Sequence, residues 1–418
     1  MISEFEVENF LSIGSAITLS FLATKDKTNE EEYVTVMPDG ARLLKVAMIF
    51  GANGTGKSNI LKALDFFLRV VIMRPADTDQ WIEQRKFKFN PEIKNKPTKM
   101  TLTFYFRGKK HILYISLDKG VIYEESLSVY NTSRATNIYT RTYRSKHAAR
   151  INFNEKAIKL SQIDKNAINS NTHDNCSVLA AYYLSYQSKM VGECGLKNLY
   201  EYFENTYAGR FSITESMVNH ARDLMLKSTN KDTKLFLSDW MRNGSFLGLD
   251  NITIDTTSGK NKVSFNYLYK DQNFGMSEKE ISGGARRFFG LGALIYEHLT
   301  SNCLIMIDGL DIGLHPKLRR FFLRSFLKNS QKCSQLIFTT NAYYILDRDY
   351  IRRDTVWFTE KSQEFETWLV RLSDCNIRKD VLVHKAYKEG KIVKLPIIGE
   401  TLIDLTKYDI VDDDNKDK

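Results

Sequence analysis

The alternation of apolar and polar residues predicts a sheet at the start of the chain. Phe5, Val7 and Phe10 are spaced as in a half-buried strand, and the apolar positions of 17–21 repeat that spacing. A polar stretch over 25–32 predicts an exposed loop. Residues 43–50 are almost continuously apolar, which is typical of a strand buried on both faces of a parallel sheet. The chain therefore leads from a half-exposed sheet into a fully buried strand.

Helical spacing follows that strand after a glycine-rich turn, at Ile60, Leu61, Leu64, Phe67, Leu68 and Val71. Two apolar runs, 101–106 and 112–117, flank a polar turn and predict a β-hairpin. Between 155 and 245 the pattern is helical but less regular, and strands and helices alternate again from 250 onward. We expect an α/β protein with mixed β-sheets, divided into an N-terminal lobe (1–154), an inserted helical subdomain (155–248), a C-terminal lobe (249–405) and a solvated tail of acidic and mixed charge (406–418).

Composition narrows the class of protein. The chain has 418 residues, and no apolar run approaches the ~18 residues that a membrane span needs. The first residues are acidic and lack a basic segment before an apolar one, so we expect a soluble cytoplasmic protein with no membrane partner. The 5 cysteines are scattered without a CxxC pair, which predicts neither a disulfide framework nor a zinc site.

Basic residues exceed acidic ones, 60 to 50, so a polyanionic partner is compatible with the net charge of +10. Residues 126–154 contain no Asp or Glu, and their basic residues are Arg134, Arg141, Arg144, Lys146 and Arg150. Such a strip could follow a phosphate backbone, form the solvated face of a hairpin, or contact an acidic protein, so nucleic acid stays an open partner. Arg319, Arg320 and Arg324 lie on a helix that Pro316 begins, where surface charge is the favoured interpretation over an arginine finger.

A phosphate-binding loop follows the buried strand. Residues 51–58 read G-A-N-G-T-G-K-S, which matches G-x-x-x-x-G-K-[ST] between a strand and a helix. Glycines let the backbone curl so that successive N–H groups and the helix N-terminus face phosphates. Lys57 would reach the β- and γ-phosphates, and the Ser58 hydroxyl would bind Mg²⁺. The candidate nucleotide-binding residues here are Gly51, Asn53, Gly54, Gly56, Lys57 and Ser58.

Two later elements carry complementary chemistry. Residues 303–307 predict a buried strand that ends in Asp308, which would hold Mg²⁺ together with Ser58. Ser282, Gly283 and Gly284 stand at the start of a predicted helix, where free N–H groups can face a γ-phosphate. The sequence therefore predicts ATP and Mg²⁺ as ligands.

With these motifs the chain resembles the ATP-binding-cassette ATPases, in their RecF-like and chromosome-maintenance-like branch. The loop 51–58 looks like the Walker A loop, 281–285 like the signature, 304–308 like the Walker B strand, and 312–316 like the D-loop, with His315 where many cassettes carry Asp. The opening 8–12 is similar to the first-strand motif of that branch. The chain also resembles small predicted bacterial ATPases of phage-defence and abortive-infection operons, whose late strand is similar to 352–360. The resemblance implies a P-loop head of the ABC-ATPase type.

Two positions depart from that family. The Glu that follows the Walker B Asp and acts on the attacking water is Gly309 here, and the switch His is Asn341. Loss of a general base typically lowers the rate by ~10² to 10⁴-fold. The sequence therefore predicts ATP binding with slow or absent hydrolysis, although Asp311, His315 or another subunit remain open as sources of the missing group.

The resemblance also implies partners. In cassette ATPases the signature of one subunit closes over the ATP of another, so Ser282, Gly283 and Gly284 would contact the nucleotide held by Lys57 of a second chain. We expect a homodimer or higher oligomer that acts as a sensor or scaffold for a separate effector, such as a nuclease or toxin, in anti-phage defence. The alternative is a DNA-stimulated ATPase of repair or recombination that does turn over. A P-loop kinase or GTPase is disfavoured by the Ser-Gly-Gly element.

Overall fold

The structure is a computed structural model that describes residues 1–72, 85–131, 133–145, 148–212, 214–227, 231–246, 248–255, 261–329, 333–346, 351–378 and 381–394. The strands are β1 (Ile2–Glu8), β2 (Ile17–Ser20), β3 (Val34–Val36), β4 (Arg42–Leu44), β5 (Val46–Gly51), β6 (Thr98–Phe106), β7 (Lys109–Asp118), β8 (Val121–Tyr130), β9 (Ala135–Ser145), β10 (Ala148–Phe153), β11 (Tyr207–Phe211), β12 (Leu249–Asp255), β13 (Lys262–Tyr269), β14 (Gln272–Ser277), β15 (Leu304–Ile307), β16 (Gln335–Thr340), β17 (Val356–Lys361) and β18 (Thr367–Arg371). The helices are α1 (Glu30–Tyr33), α2 (Lys57–Ile72), α3 (Pro91–Lys94), α4 (Gln162–Asn171), α5 (Val178–Gln187), α6 (Gly195–Thr206), α7 (Thr214–Lys227), α8 (Lys231–Asn243), α9 (Gly283–Thr300), α10 (Pro316–Lys328) and α11 (Val383–Lys388).

A six-stranded sheet in the order β11-β15-β16-β5-β17-β18 carries the phosphate loop. Its strands are parallel except for β18, which runs antiparallel to β17. Every residue of β5, β15 and β16 is buried. For β5 and β15 this agrees with the buried strands predicted from the apolar runs 43–50 and 303–307. The predicted α/β class with mixed sheets is confirmed.

A seven-stranded sheet of antiparallel strands, in the order β10-β9-β8-β7-β6-β1-β2, lies on the other side of α2. The predicted hairpin is confirmed as β6 and β7, joined by Arg107 and Gly108 with φ of 48° and 76°. On α2, Phe67 packs edge-on against Phe5 of β1 at 5.9 Å. Because α2 packs against β1 and directly follows β5, it joins the two sheets into one hydrophobic core.

The structure differs from the pattern in three places. The apolar run 43–50 is split at Lys45, because β4 pairs with β3 in a separate ribbon while β5 enters the central sheet. The polar stretch 25–32 is irregular only up to Asn29, because α1 begins within it at Glu30. Strand β11 lies among the helices α4 to α8 and pairs with β15, so the range 155–248 contributes one strand to the central sheet. The predicted tail 406–418 lies outside the described residues.

The basic strip 126–154 is divided by the fold. Arg141 is buried beside Glu125 at 3.7 Å, and its guanidinium donates to the backbone carbonyls of Cys176, His173 and Asp174. It is therefore a structural cation, because a buried charge needs a partner and hydrogen bonds. Arg144 and Arg150 are exposed on β9 and β10, while Lys146 lies outside the described residues.

No described helix is long and apolar enough to cross a membrane. The five cysteines are unpaired thiols. Within the described ranges, no group of three or more His, Cys, Asp and Glu side chains is arranged to hold a metal ion.

Candidate nucleotide-binding site

Three neighbouring parallel strands deliver the candidate residues to one edge of the central sheet. The phosphate loop follows β5, Asp308 follows β15, and Asn341 follows β16. Strand β16 lies between the other two, so its Thr339 stands between Asp308 and the loop. Together they line an open cleft of about 460 Å³ at the carboxyl ends of the strands, where ligands of α/β sheets bind.

The phosphate loop is held from outside by the last two strands of the sheet. Gly56 has φ of 105°, and a Cβ there would overlap the Thr367 hydroxyl of β18, so only glycine fits. The Thr55 hydroxyl lies 2.6 Å from the Thr359 hydroxyl of β17 and donates to the Ala52 carbonyl at 2.9 Å. The loop therefore keeps a curled backbone through contacts with residues three hundred positions later in the chain.

Lys57 begins α2 and folds back over the loop. Its ammonium donates to the carbonyl oxygens of Gly51 and Ala52 at 2.7 and 2.8 Å. Burial lowers the pKa of Lys57, and the carboxylates of Asp311 and Asp308 oppose that shift. A cation satisfied by two neutral carbonyls fits a phosphate, because charged oxygens are stronger acceptors.

Ser58 and Asp308 meet although they come from different ends of the chain. The Ser58 hydroxyl donates to Asp308 Oδ1 at 2.8 Å, and the Thr339 hydroxyl donates to the same oxygen at 2.8 Å. Thr339 also accepts a 2.7 Å hydrogen bond from the backbone N–H of Gly309. A hydroxyl beside a carboxylate oxygen fits Mg²⁺, which binds through few protein oxygens when phosphates supply the others.

Gly309 offers no side chain at the edge of this cleft. Its φ of 74° is in the left-handed region, and a Cβ added there would overlap the end of the Ile312 side chain. The Gly309 carbonyl accepts a 2.6 Å hydrogen bond from Arg287 of α9. The cleft thus has no carboxylate at this position, and the turn is tied to the helix that Ser282 caps.

Arg287 contacts the site but belongs to none of the sequence motifs that predicted it. Its side chain is 1% exposed, and burial lowers its pKa while Asp311 raises it. The only sequence signal is a second arginine, next to Arg286, on a helix whose other inward positions are apolar except for His298. Because buried charges are unfavourable without partners, its place behind the Gly309 turn indicates a positioning role.

Asn341 and Asn53 are brought together at the mouth of the cleft. The Asn341 amide donates to Asn53 Oδ1 at 2.8 Å. Of the two substitutes considered for the missing base, Asp311 lines the cleft. His315 is instead the N-cap of α10, where its Nδ1 accepts from the Lys317 N–H at 3.2 Å.

The residues of the Ser-Gly-Gly element do not line the cleft of their own chain. Ser282 caps α9, and its hydroxyl accepts from the Ala285 N–H at 3.1 Å. A Cβ added at Gly283 would meet nothing within 4 Å, whereas one at Gly284 would meet the Gly313 carbonyl. The capped helix end is therefore open on the side of Gly283.

The opening motif 8–12 also reaches the phosphate loop. Ser12 lies 2.7 Å from the Thr367 hydroxyl and accepts a 2.7 Å hydrogen bond from Asn59 of α2. The contacts place the end of the first strand, the loop and β18 in one polar network. Its members are too far apart in sequence for any local pattern to have indicated the network.

The chain is similar to proteins of known family and structure. The RecF/RecN/SMC N terminal domain matches residues 39–349. No curated protein matches the chain. Among solved structures, the SMC head domain from Thermotoga maritima is 13% identical with a TM-score of 0.43, over 88% of this chain and 98% of that one. An SMC head bound to the C-winged helix domain of ScpA is 12% identical with a TM-score of 0.42, over 93% and 99% of the two chains.

Proposed function

Since the chain belongs to the RecF/RecN/SMC N-terminal domain family, we propose that it binds ATP with Mg²⁺ and forms an ATP-bridged dimer that hydrolyses ATP slowly or not at all. The observation that carries nucleotide binding is the joint position of Lys57, Ser58 and Asp308 in one cleft. The bound nucleotide with its Mg²⁺ supplies a concentrated negative charge.

The chain's own residues would hold that charge in three ways. Lys57 would exchange its two carbonyl partners for phosphate oxygens. The start of α2 would present free N–H groups to the phosphates. Ser58 and Asp308 would hold Mg²⁺ between them, with Thr339 keeping the Asp308 carboxylate in place.

The proposal of slow hydrolysis rests on the residues at positions 309 and 341. Gly309 has no group to orient or deprotonate water, and Ile312 fills the space where a side chain would start. Asn341 is a neutral amide hydrogen-bonded to Asn53. Asp311 is the carboxylate within the same cleft that could supply residual turnover.

Dimerisation is proposed from the position of the Ser282 cap. The cap does not line the cleft of its own chain, yet its helix start is suited to an anion. In the proposed dimer, Lys57 of one protomer and Ser282 of its partner face the same triphosphate. Nucleotide then acts as a link between the protomers, and slow hydrolysis keeps the link in place.

We further propose that this dimer is a sensor or scaffold for a separate effector, such as a nuclease or toxin, in bacterial anti-phage defence. The support is the motif resemblance to small ATPases of defence operons.

The experiment measures molar mass in solution by light scattering, with and without ATP and Mg²⁺. We expect the mass to double with nucleotide, and Gly283→Arg to abolish doubling while ATP still binds, because a side chain at Gly283 clears its own chain. Gly195→Arg is the matched control, since a Cβ there also meets nothing within 4 Å. A single-chain mass at saturating ATP, or doubling by the Gly283 variant, would refute the dimer.

Phosphate release separates the scaffold from its alternative. The proposal expects little release with or without DNA, because Gly309 carries no base. Strong DNA-stimulated release would instead establish the ATPase of repair or recombination.

A further inference from the structure

A second cleft lies behind the turn that carries Asp308. It has a volume of about 440 Å³ and runs between α1, α10 and the turn Tyr343–Leu346. We call it the α10 groove. Its floor is apolar and is formed by Leu310, Leu323, Leu327 and Phe338. Tyr344, 41% exposed, adds accessible apolar surface on the opposite wall.

The rim of the α10 groove is cationic. Five basic side chains of α10 line it, and they are Lys317, Arg319, Arg320, Arg324 and Lys328. Glu32 is the one carboxylate among the described residues that line the groove. Within the described ranges, no carboxylate oxygen lies within 4.0 Å of the Lys317 or Lys328 ammonium. With five cations and one carboxylate the groove is predominantly positive, and it attracts a ligand of negative charge.

Four of these cations form a row along the helix. Lys317, Arg320, Arg324 and Lys328 are exposed and recur every three or four residues, so they share one face of α10. The row spans ~16 Å at 1.5 Å per residue. An extended peptide covers that length with about five residues at 3.3 Å each. The row therefore matches a short extended segment.

The apolar floor decides between two kinds of anion. A nucleic-acid backbone would contact the cations and leave the floor unused, because its outer surface is phosphate and sugar. A peptide that alternates acidic and apolar side chains would use the rim and the floor together. We propose that the α10 groove binds an acidic, amphipathic segment of a protein partner. This inference rests on the proposed function in that it identifies where a separate partner would attach.

The α10 groove and the nucleotide cleft share one turn. Leu310 lines the groove, whereas its neighbours Gly309 and Asp311 line the cleft. Arg319 donates to the Leu314 carbonyl of the same turn, and its guanidinium lies 5.4 Å from the Tyr344 ring across the groove. A movement of this turn on nucleotide binding would change the shape of the α10 groove. The affinity for the peptide is therefore expected to differ between the nucleotide-free and the ATP-bound protein.

The test uses the full chain and a fluorescein-labelled peptide with the sequence Glu-Leu-Glu-Leu-Glu-Leu-Glu-Leu-Glu, whose leucines share one face when it is extended, and binding is measured by fluorescence anisotropy. We expect Lys317→Glu combined with Arg324→Glu to weaken binding by about tenfold or more, because it places like charges at the rim. The control is Arg144→Glu combined with Arg150→Glu, two exposed cations on β9 and β10. It removes the same charge and should change affinity less than about twofold.

Three outcomes would overturn the proposal. Equal losses in the two double variants would mean unspecific charge attraction. Equal binding of a peptide with Ser in place of Leu would mean that the floor takes no part. Tighter binding of labelled (dT)15 than of the peptide, lost in the groove variant, would make the surface a nucleic-acid site.

The two experiments distinguish an error in the proposed dimer from an error in the assignment of the α10 groove. If ATP doubles the molar mass but the peptide does not bind, the α10 groove is wrongly assigned. If the peptide binds and the mass never changes, the ATP-bridged dimer is wrong. The groove variant itself should keep ATP binding, since Lys317 and Arg324 do not line the nucleotide cleft.

Discussion

The Ser58 hydroxyl donates a 2.8 Å hydrogen bond to Asp308 Oδ1, joining residues 250 positions apart. Ser58 is in the first turn of α2, and Asp308 is at the tip of β15. Because both are placed by buried, regular elements, the pair is pre-positioned and small motions of exposed loops leave it intact.

Ser58→Ala should separate the metal-dependent part of nucleotide affinity from the rest. With Mg²⁺ we expect ATP affinity to fall by about tenfold, and with EDTA to change little, because only the hydroxyl that would bind the metal is removed. Titration with a fluorescent ATP analogue measures both values. Ser15→Ala, on the exposed loop before β2, is the control. An equal loss in EDTA would contradict the assignment of Ser58 to Mg²⁺.

Gly309→Glu should raise phosphate release if the missing carboxylate limits turnover. The left-handed backbone makes any side chain at Gly309 unfavourable by ~1–2 kcal/mol, and Ile312 must move. Gly309→Gln carries the same strain without the carboxylate, so the ratio between the two variants isolates the acid. We expect about 10²-fold faster release from the Glu variant. Equal rates would mean that Gly309 is not where hydrolysis is limited.

Arg352→Met should destabilise the whole chain. Arg352 and Asp354 are both buried, with two hydrogen bonds of 2.8 and 3.0 Å between them, and Arg352 also donates to the Thr28 and Asp26 carbonyls. Removing the cation leaves a buried carboxylate, for which we expect a loss of ~3–5 kcal/mol in the free energy of unfolding. Urea denaturation measures it. Arg353→Met, at a half-buried neighbour, should cost less, and equal costs would argue against the pair.

His298 should make stability depend on pH below neutrality. It is buried between α9 and α10, its Nε2 lies 2.9 Å from the Phe326 carbonyl, and burial lowers its pKa to about 4. A lowered histidine pKa means that stability is full above the unfolded value near 6.5 and is lost as pH falls from there toward 4. We expect His298 to account for about 2 kcal/mol of loss at pH 5.

The measurement compares urea unfolding of the wild type and His298→Leu at pH 7 and pH 5. The variant is less stable at pH 7, because it loses the hydrogen bond, but its stability should fall less between the two pH values. An identical fall in both proteins would show that His298 does not titrate as its burial requires.

The local pattern of apolar and polar residues was sufficient to predict the strands and helices that carry the nucleotide-binding site. Strands β5 and β15 are short apolar runs, and α2 and α9 have helical spacing, so each could be predicted from neighbouring residues alone. The loop 51–58 could also be predicted from neighbouring residues, because its glycines and Lys57 act within one turn. The family resemblance came from these same local segments.

Contacts between segments distant in sequence decided how these elements are arranged and which side chains meet in the site. The order β15-β16-β5 brings Asp308 to Ser58, strand β11 enters the sheet from within a helical region, and Arg287 reaches the Gly309 turn. Arg141 and Arg144 look alike in the sequence, yet one is buried beside Glu125 and the other is exposed. Residue spacing determines which face of an element is apolar, whereas the partner of that face depends on packing between elements that are far apart along the chain.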